Sequence, residues 1–167
     1  MLSAGQRKSR LWGVKNAELG RRWARAWSRH DPEALSDLFD PDGEYDDVAF
    51  AVVSRGPGGA REWAEGFLAA FPDLVVDVVA EFATDGDEVV EWLMSATHLG
   101  QFDGLSPSGR RFQVRGVTVL RTREGRIVRC SDYWDLGTVR RQLDRLTSGP
   151  SASAKPRSRA AGPALNP

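Results

Sequence analysis

A single aspartate lies on an otherwise apolar strand face in the segment CSDYWDLG, residues 130–137. Side chains of a strand alternate between its two faces, so residues 127–134 divide into two sets. One set is Val128, Cys130, Asp132 and Trp134, and the other is Ile127, Arg129, Ser131 and Tyr133. A carboxylate among apolar neighbours is costly unless it is paired, hydrogen-bonded or protonated. Asp132 is therefore predicted either to have structural partners or to be kept for proton transfer.

A histidine has a similar place in a second predicted strand, residues 89–98. One face of this strand carries Val90, Trp92, Met94, Ala96 and His98. If the two strands are neighbours, His98 and Asp132 point to the same helix-covered side of the sheet. An apolar space with one or two convergent polar groups is what a small-molecule pocket requires. The alternative is that His98 ends its strand in solvent and Asp132 is a hydrogen-bonded structural carboxylate.

A third acidic candidate is the pair Asp46 and Asp47 in the segment GEYDDVAF. Adjacent residues of a strand face opposite sides, so only one of the two can point inward and they cannot form a dyad. The alternative is that both are solvated at the start of their strand. Most of the six tryptophans are expected in the core, and Trp92 and Trp134 are also candidates for the flat walls of a pocket that takes a ring-shaped ligand.

The elements that must position these residues follow from periodicity and turn signals. Asp31 and Pro32 have the types of a helix N-cap and first helical position. Helices are predicted at 17–30, from Asp31 onward, at 60–71 and at 137–146, and strands at 44–53, 74–82, 89–98, 112–121 and 127–134. This order predicts an α+β domain, in which a curved antiparallel sheet has its helices gathered on one face.

Composition limits the chemistry. The chain has 167 residues, of which 41% are apolar and 28% charged, which fits one globular domain. One cysteine and two histidines argue against a disulfide framework and against Cys-based or His-rich metal sites. Walker, dinucleotide-binding, nucleophile-elbow and HExxH motifs are missing as well. The expected chemistry is acid–base catalysis with neither cofactor nor metal.

The two ends of the chain are basic and of low complexity. Segments 1–13 and 148–167 are predicted to be flexible, because they hold too little apolar surface to offset the entropy of ordering. Their basic residues are sparse and lack interleaved aromatics, so neither nucleic acid nor a membrane is expected as a partner. Without an apolar run of about 20 residues or a secretory leader, the default expectation is a cytoplasmic protein.

Three stretches point to a known family: the opening RRWARAWSRHDPEALSDLFDPDGEYDD, the run FPDLVVDVV, and a long segment that begins ATHLGQFDGLSPSGR. They resemble the SnoaL-like polyketide cyclases of the nuclear-transport-factor-2-like superfamily. The resemblance covers a predicted domain at 14–147. It implies a cone-shaped sheet around a pocket closed by the amino-terminal helices, and a homodimer. It also implies that Asp132 is the acid/base of an intramolecular aldol ring closure and that His98 assists.

The superfamily relatives limit which reaction is expected. The segment DYWDL resembles one in limonene-epoxide hydrolase, but the Arg and second Asp of that enzyme fall on Trp92 and Met94 here. Asp47 corresponds to the base of ketosteroid isomerase, whose tyrosine donor falls near Trp23. We therefore expect a cofactor-independent acid–base cyclase for a hydrophobic, polyketide-like metabolite, with Asp47 as acceptor of a carbon-bound proton. The expected cavity residues are Trp92, Met94, Trp134, Phe50, Phe112 and Trp23.

Two alternatives remain open from the sequence. One is an epoxide-opening cyclase or hydrolase on the same scaffold, with Asp132 as the acid. The other is a non-catalytic protein that binds a small molecule, since the superfamily includes members without catalysis.

Overall fold

A computed structural model describes residues 18–144. The predicted flexible segments, 1–13 and 148–167, and the outer limits of the predicted domain at 14–147 lie outside the described residues. Between residues 18 and 144, no helix is long and apolar enough to cross a membrane.

Helices precede and interrupt the first part of a sheet, and the rest of the sheet follows as a meander. The helices are α1 (Glu18–Ser28), α2 (Pro32–Ser36), α3 (Gly56–Ala70) and α4 (Leu136–Leu143). The strands are β1 (Phe39–Asp47), β2 (Val52–Arg55), β3 (Val75–Ala83), β4 (Asp87–Thr97), β5 (Arg111–Arg123) and β6 (Arg126–Trp134). The predicted α+β class is confirmed.

The strands form one curved, open sheet in the order β2-β1-β6-β5-β4-β3. The meander from β3 to β6 is antiparallel, as predicted. One neighbouring pair differs from the antiparallel expectation, because β1 and β6 run parallel. A parallel pair needs a long crossover, and here the chain between the two strands includes α3 and the whole meander. The expected DPDG turn lies inside β1, where the pairing with β6 shifts between Phe39 and Glu44.

Helix α1 is amphipathic, because apolar residues recur at helical spacing along one side. Leu19, Trp23 and Trp27 are buried on that side, and the helix packs against β3 and β4. The predicted cap of the second helix is confirmed: the Asp31 carboxylate accepts a hydrogen bond from the Ala34 backbone N–H at 2.9 Å. Three residues separate the end of α1 from the start of α2.

Helix α3 starts earlier than the pattern predicted, at Gly56, and ends just before Pro72. Its buried side carries Ala60, Ala64 and Phe67, and it packs against β1. Small alanines allow the helix to approach the strand closely. Helices α1 and α3 together cover the part of the sheet on which Asp132 lies.

Candidate functional site

Two aspartates stand side by side on neighbouring strands. Asp47 ends β1 and is directly paired with Asp132 of β6 in the parallel ladder. The Val48 backbone N–H donates to the Asp132 carbonyl at 3.0 Å and fixes this register. Directly paired residues project to the same face of a sheet, and both side chains are buried, with 4% and 5% of their surface exposed. The expectation that one residue of the Asp46–Asp47 pair points inward is met by Asp47.

A narrow cavity lies beside this carboxylate pair, between the sheet and helices α1 and α3. Its volume is about 20 Å³, which is room for about one water molecule. Its surface is almost wholly apolar. The lining residues are Trp23, Trp27, Tyr45, Asp47, Trp63, Phe67, Leu74, Val76, Trp92, Met94, Asp132 and Trp134.

The Asp132 carboxylate is held by donors on three sides. The Tyr45 hydroxyl donates to Oδ2, and the Thr118 hydroxyl donates to Oδ1 at 2.6 Å. The Cys130 thiol lies 3.8 Å from Oδ1 on the same strand. The Trp92 indole N–H in turn donates to the Thr118 hydroxyl at 2.7 Å. The sequence left open whether Asp132 has structural partners or is kept for proton transfer. The structure gives it hydrogen-bond partners and also places it beside a cavity.

These bonds determine which oxygen of Asp132 can carry a proton. An indole N–H only donates, so the Thr118 oxygen accepts from Trp92 and its own proton is directed to Oδ1. Oδ1 is thereby kept as an acceptor. Protonation therefore falls on Oδ2, where Tyr45 must turn from donor to acceptor and its hydroxyl proton becomes available to the cavity that Tyr45 lines.

Burial sets the acidity of both carboxyl groups. Loss of solvation raises the pKa of Asp132 to about 7, against the opposing hydrogen bonds from Thr118 and Tyr45, and the negative charge of Asp47 adds to the rise. Burial also raises the pKa of Asp47 and, well above its ordinary value, that of Tyr45. Near neutral pH the site therefore holds a carboxyl group that exchanges its proton readily.

Asp47 is tied to the turn that follows β1. Its Oδ1 accepts from the Phe50 backbone N–H at 3.2 Å, and its Oδ2 accepts from the Trp134 indole N–H at 3.2 Å. Both bonds favour the ionised carboxylate and oppose the effect of burial on its pKa. Within residues 18–144, Asp47 has no hydroxyl donor comparable to Tyr45, which distinguishes its surroundings from those of Asp132.

The position of Trp92 depends on a glycine across the ladder. Gly116 of β5 pairs with Trp92 of β4. A Cβ atom at residue 116 would lie 2.2 Å from the Cη2 atom of Trp92, so the indole ring rests on the bare backbone of the neighbouring strand. A glycine inside an alternating strand pattern can signal such a close approach, but Gly116 was not singled out from the sequence.

The structure does not bring His98 to Asp132. Asp132 pairs with Thr118, and Thr118 pairs with Val90. His98 lies eight positions further along the chain than Val90, which is roughly 26 Å of strand. The predicted alternation holds, since His98 is buried, but β4 ends at Thr97 and the histidine is at the far end of the sheet. It is not among the residues that line the cavity.

His98 has a local packing role instead. Its ring lies against Phe71 and Phe102, with centroid distances of 5.7 and 6.0 Å. The Ser108 backbone N–H donates to Nδ1 at 3.3 Å, which joins the two ends of the loop after β4. Burial lowers the pKa of the imidazole, which favours the neutral form.

Two expected cavity residues lie outside the lining as well. Phe112 packs against Phe71 near the His98 end of the sheet, at a centroid distance of 5.1 Å. Phe50 lies behind the wall, at 5.5 Å from both Trp63 and Trp134. The other expected residues, Trp23, Trp92, Met94 and Trp134, do line the cavity together with Asp47 and Asp132.

Several site residues were missed by the sequence analysis. Tyr45 lies two positions before Asp47 and therefore on its face of β1, a signal that the alternation contained. Trp27 follows Trp23 by one helical turn and shares its face. Thr118 offered no such signal, because only the register of β5 against β6 places its hydroxyl at Asp132.

Metal binding has no evident place in this site. Among residues 18–144, no group of three or more His, Cys, Asp or Glu side chains is arranged to hold a metal ion. The two cavity carboxylates take their hydrogen bonds from protein donors.

Comparison with solved structures shows where else this architecture occurs. A hypothetical protein with a ketosteroid isomerase-like fold from Catenulispora acidiphila, in complex with trimethylamine, is 26% identical over 77% of this chain and 94% of its own, with a TM-score of 0.70. A candidate polyketide cyclase from Acidithiobacillus ferrooxidans is 28% identical over 75% and 92%, with a TM-score of 0.65. IdmH, a candidate polyketide cyclase from Streptomyces antibioticus, shows the same fold at 24% identity over 76% and 96%, with a TM-score of 0.66.

Two sequence comparisons gave different results. The comparison with individual curated proteins found no match, whereas the comparison with family models found one. The sequence model of the SnoaL-like polyketide cyclases matches residues 17–143, which includes every element from α1 to α4. The chain belongs to the SnoaL-like polyketide cyclase family.

Proposed function

We propose that this protein is a cofactor-independent cyclase that closes a ring in a carbonyl-bearing, polyketide-like metabolite by intramolecular aldol addition. The observation that carries the proposal is the pairing of two buried carboxyl groups, Asp47 and Asp132, at an apolar cavity. The family and the solved relatives described as polyketide cyclases support a role of this type.

In the proposed reaction Asp47 is the base and Asp132 the acid. The Asp47 carboxylate takes a proton from the carbon next to one carbonyl group, and the resulting enolate carbon attacks a second carbonyl carbon of the same molecule. As the new carbon–carbon bond forms, the carbonyl oxygen takes a proton from the Tyr45 hydroxyl. Tyr45 recovers its proton from Oδ2 of Asp132. Return of the proton from Asp47 to Asp132 restores the site, so the product is an isomer of the substrate.

The raised pKa of Asp132 fits its role as the general acid. A general acid is most effective when its pKa is near the working pH, and the pKa of Asp132 is raised to about 7. Acid–base assistance of this kind contributes typically about 10²–10⁴-fold in rate. A folded pose of the flexible chain between aromatic walls adds to this by bringing the two reacting carbons together.

Substrate entry requires movement of side chains. A cavity with room for about one water molecule cannot hold a polyketide. Trp63 is only half-buried, so it can turn outward more readily than the fully buried rings. Binding is therefore expected to include displacement of cavity aromatics, most easily on the α3 side.

The test uses aryl diketones whose two carbonyl groups are spaced for closure of a carbocycle. Wild-type protein should convert a member of the series into a cyclic product of unchanged mass. Asp132→Asn should abolish turnover while circular dichroism shows an intact fold. Asp46→Asn is the matched control, because Asp46 lies one position before Asp47 on the outer side of β1, in an ion pair with Arg129 at 2.6 Å. Full activity of Asp132→Asn would refute the proposal.

Epoxide opening is the second candidate, since space for a single water beside both carboxyl groups also suits attack by water. An epoxide series incubated in parallel distinguishes the two reactions, because a diol gains the mass of one water. Recovery of all substrates unchanged, with binding retained, would instead assign the protein to the non-catalytic binders.

A further inference from the structure

Two hydrogen-bond donors in the cavity wall have no partner. The indole nitrogens of Trp23 and Trp27 are buried and make no hydrogen bond within residues 18–144. The two residues are 2% and 5% exposed, and both line the cavity. They lie one turn apart on α1 and therefore on the same face of the helix.

The other indoles near the carboxylates differ from this pair. The N–H of Trp92 donates to Thr118 at 2.7 Å, and that of Trp134 donates to Asp47 at 3.2 Å. Both of these residues extend from the sheet, whereas Trp23 and Trp27 extend from the helix that covers it. The cavity therefore has its bonded indoles on the carboxylate side and its unbonded indoles on the helix side.

An unpaired buried donor is unfavourable and uncommon in folded proteins. The aromatic neighbours are the competing explanation, because an N–H can point at a ring face. Trp27 meets Phe67 and Tyr45 edge-on, with centroid distances of 5.8 and 6.4 Å. Trp23 meets Trp27 edge-on at a centroid distance of 6.4 Å and meets Trp92 at a tilt of 37°. An N–H that points at a ring face gains less than one that is bonded to an oxygen, so an acceptor oxygen is the better partner for either donor.

We propose that the Trp23 and Trp27 indole N–H groups bind a carbonyl oxygen of the ligand, on the side of the cavity opposite Asp47 and Asp132. The ligand class is an uncharged, apolar, ring-bearing ketone. Donors that cannot accept a hydrogen bond select an acceptor oxygen and disfavour an ammonium group. This inference rests on the proposed function only for the claim that the bound ketone is turned over, and in that reaction both tryptophans are positioning residues.

The test compares two probes of nearly equal shape, acetophenone and α-methylstyrene, which differ in a carbonyl oxygen against a methylene group. Wild-type protein should bind acetophenone about tenfold more tightly, the effect of one hydrogen bond. In proton–nitrogen correlation spectra, the indole N–H resonances of Trp23 and Trp27 should move downfield with acetophenone and not with α-methylstyrene. The resonance of Trp92, already bonded to Thr118, should move little with either.

The variants Trp23→Phe and Trp27→Phe assign the resonances and should each lower the affinity ratio of ketone to hydrocarbon. If either variant fails to fold, the affinity ratio of wild type for the two probes still decides the matter. Equal affinity of wild type for the two probes, or failure of both resonances to respond to the ketone, would overturn the inference. Asp132→Asn separates this inference from the proposed function, because it should retain the ketone preference while it loses turnover.

Discussion

Asp47 and Asp132 are directly paired in the parallel ladder of β1 and β6, so their side chains lie side by side on one face of the sheet. In the sheet of residues 18–144, β1 and β6 are the one pair of neighbouring strands that run in the same direction. Both carboxyl groups are buried, but their donors differ. Asp132 has the hydroxyl of Tyr45 at one oxygen and that of Thr118 at the other, whereas Asp47 has an indole and a backbone N–H. This difference in donors is the structural basis for different roles in proton transfer.

The Tyr45 hydroxyl is predicted to deliver the proton of Asp132. Tyr45→Phe keeps the ring packed against Phe39, at a centroid distance of 5.8 Å, and removes only the hydroxyl. Turnover of a cyclised diketone should fall by about 10²-fold or more, the lower range for loss of a general acid. Tyr133→Phe is the control, since Tyr133 lies on the other face of β6 and is 50% exposed. Equal activity of the two variants would exclude Tyr45 from the proton path.

Thr118 is predicted to fix the proton on Oδ2 of Asp132. Thr118→Val keeps the shape of the side chain but leaves the Trp92 N–H without its acceptor and Asp132 without one donor. We expect a loss of about 1–3 kcal/mol in the free energy of unfolding and a further rise in the pKa of Asp132. Thr118→Ser, which keeps the hydroxyl, should retain most of the wild-type free energy of unfolding and leave the pKa of Asp132 close to its wild-type value. Denaturant unfolding of the three proteins checks this, and a stable Val variant would show that the hydroxyl is dispensable.

Gly116 is predicted to be required for the position of Trp92. Gly116→Ala places a methyl group within the indole ring, so the ring must move and lose its bond to Thr118. Overpacking of this kind costs about 1–3 kcal/mol. Gly66→Ala is the matched control, because nothing lies within 4 Å of an added Cβ at that helical position. It should leave stability unchanged or slightly raised. A melting temperature of Gly116→Ala equal to that of Gly66→Ala would contradict the packing described.

The raised pKa of Asp132 also predicts how stability depends on pH. The unfolded carboxyl group ionises near pH 4 and the folded one near pH 7, so between these values the folded state holds a proton that the unfolded state has lost. The contribution of Asp132 to the free energy of unfolding must then fall as pH rises from 4 to 7, by about 4 kcal/mol in total. Asp132→Asn lacks this contribution. Denaturant unfolding at several pH values should show the two curves diverge in that range, and parallel curves would refute the raised pKa.

Alternation along single strands predicted much of the site. It placed Asp132, Trp92 and Met94 on the covered face and allowed only one of Asp46 and Asp47 to point inward. The structure agrees because the two-residue period of a strand depends on the local backbone alone. The helix cap at Asp31 is predictable for the same reason, since its partner Ala34 is three residues away.

The register between neighbouring strands could not be predicted from the sequence. His98 and Asp132 were expected to converge because their faces match, yet ladder pairing places them at opposite ends of the sheet. The parallel pairing of β1 with β6 was not predicted for the same reason, because the two strands lie far apart in the sequence. The bond from Tyr45 to Asp132 spans 87 residues, and no local pattern could supply it.

The most direct test of the account is a pH titration of the Asp132 carboxyl carbon by carbon-13 NMR, with Asp132→Asn used to assign the resonance. A midpoint near pH 7 is expected, because Asp132 is buried beside the ionised Asp47. A midpoint near pH 4, the ordinary value for an aspartate, would show that Asp132 carries no proton at neutral pH and would contradict its role as the acid.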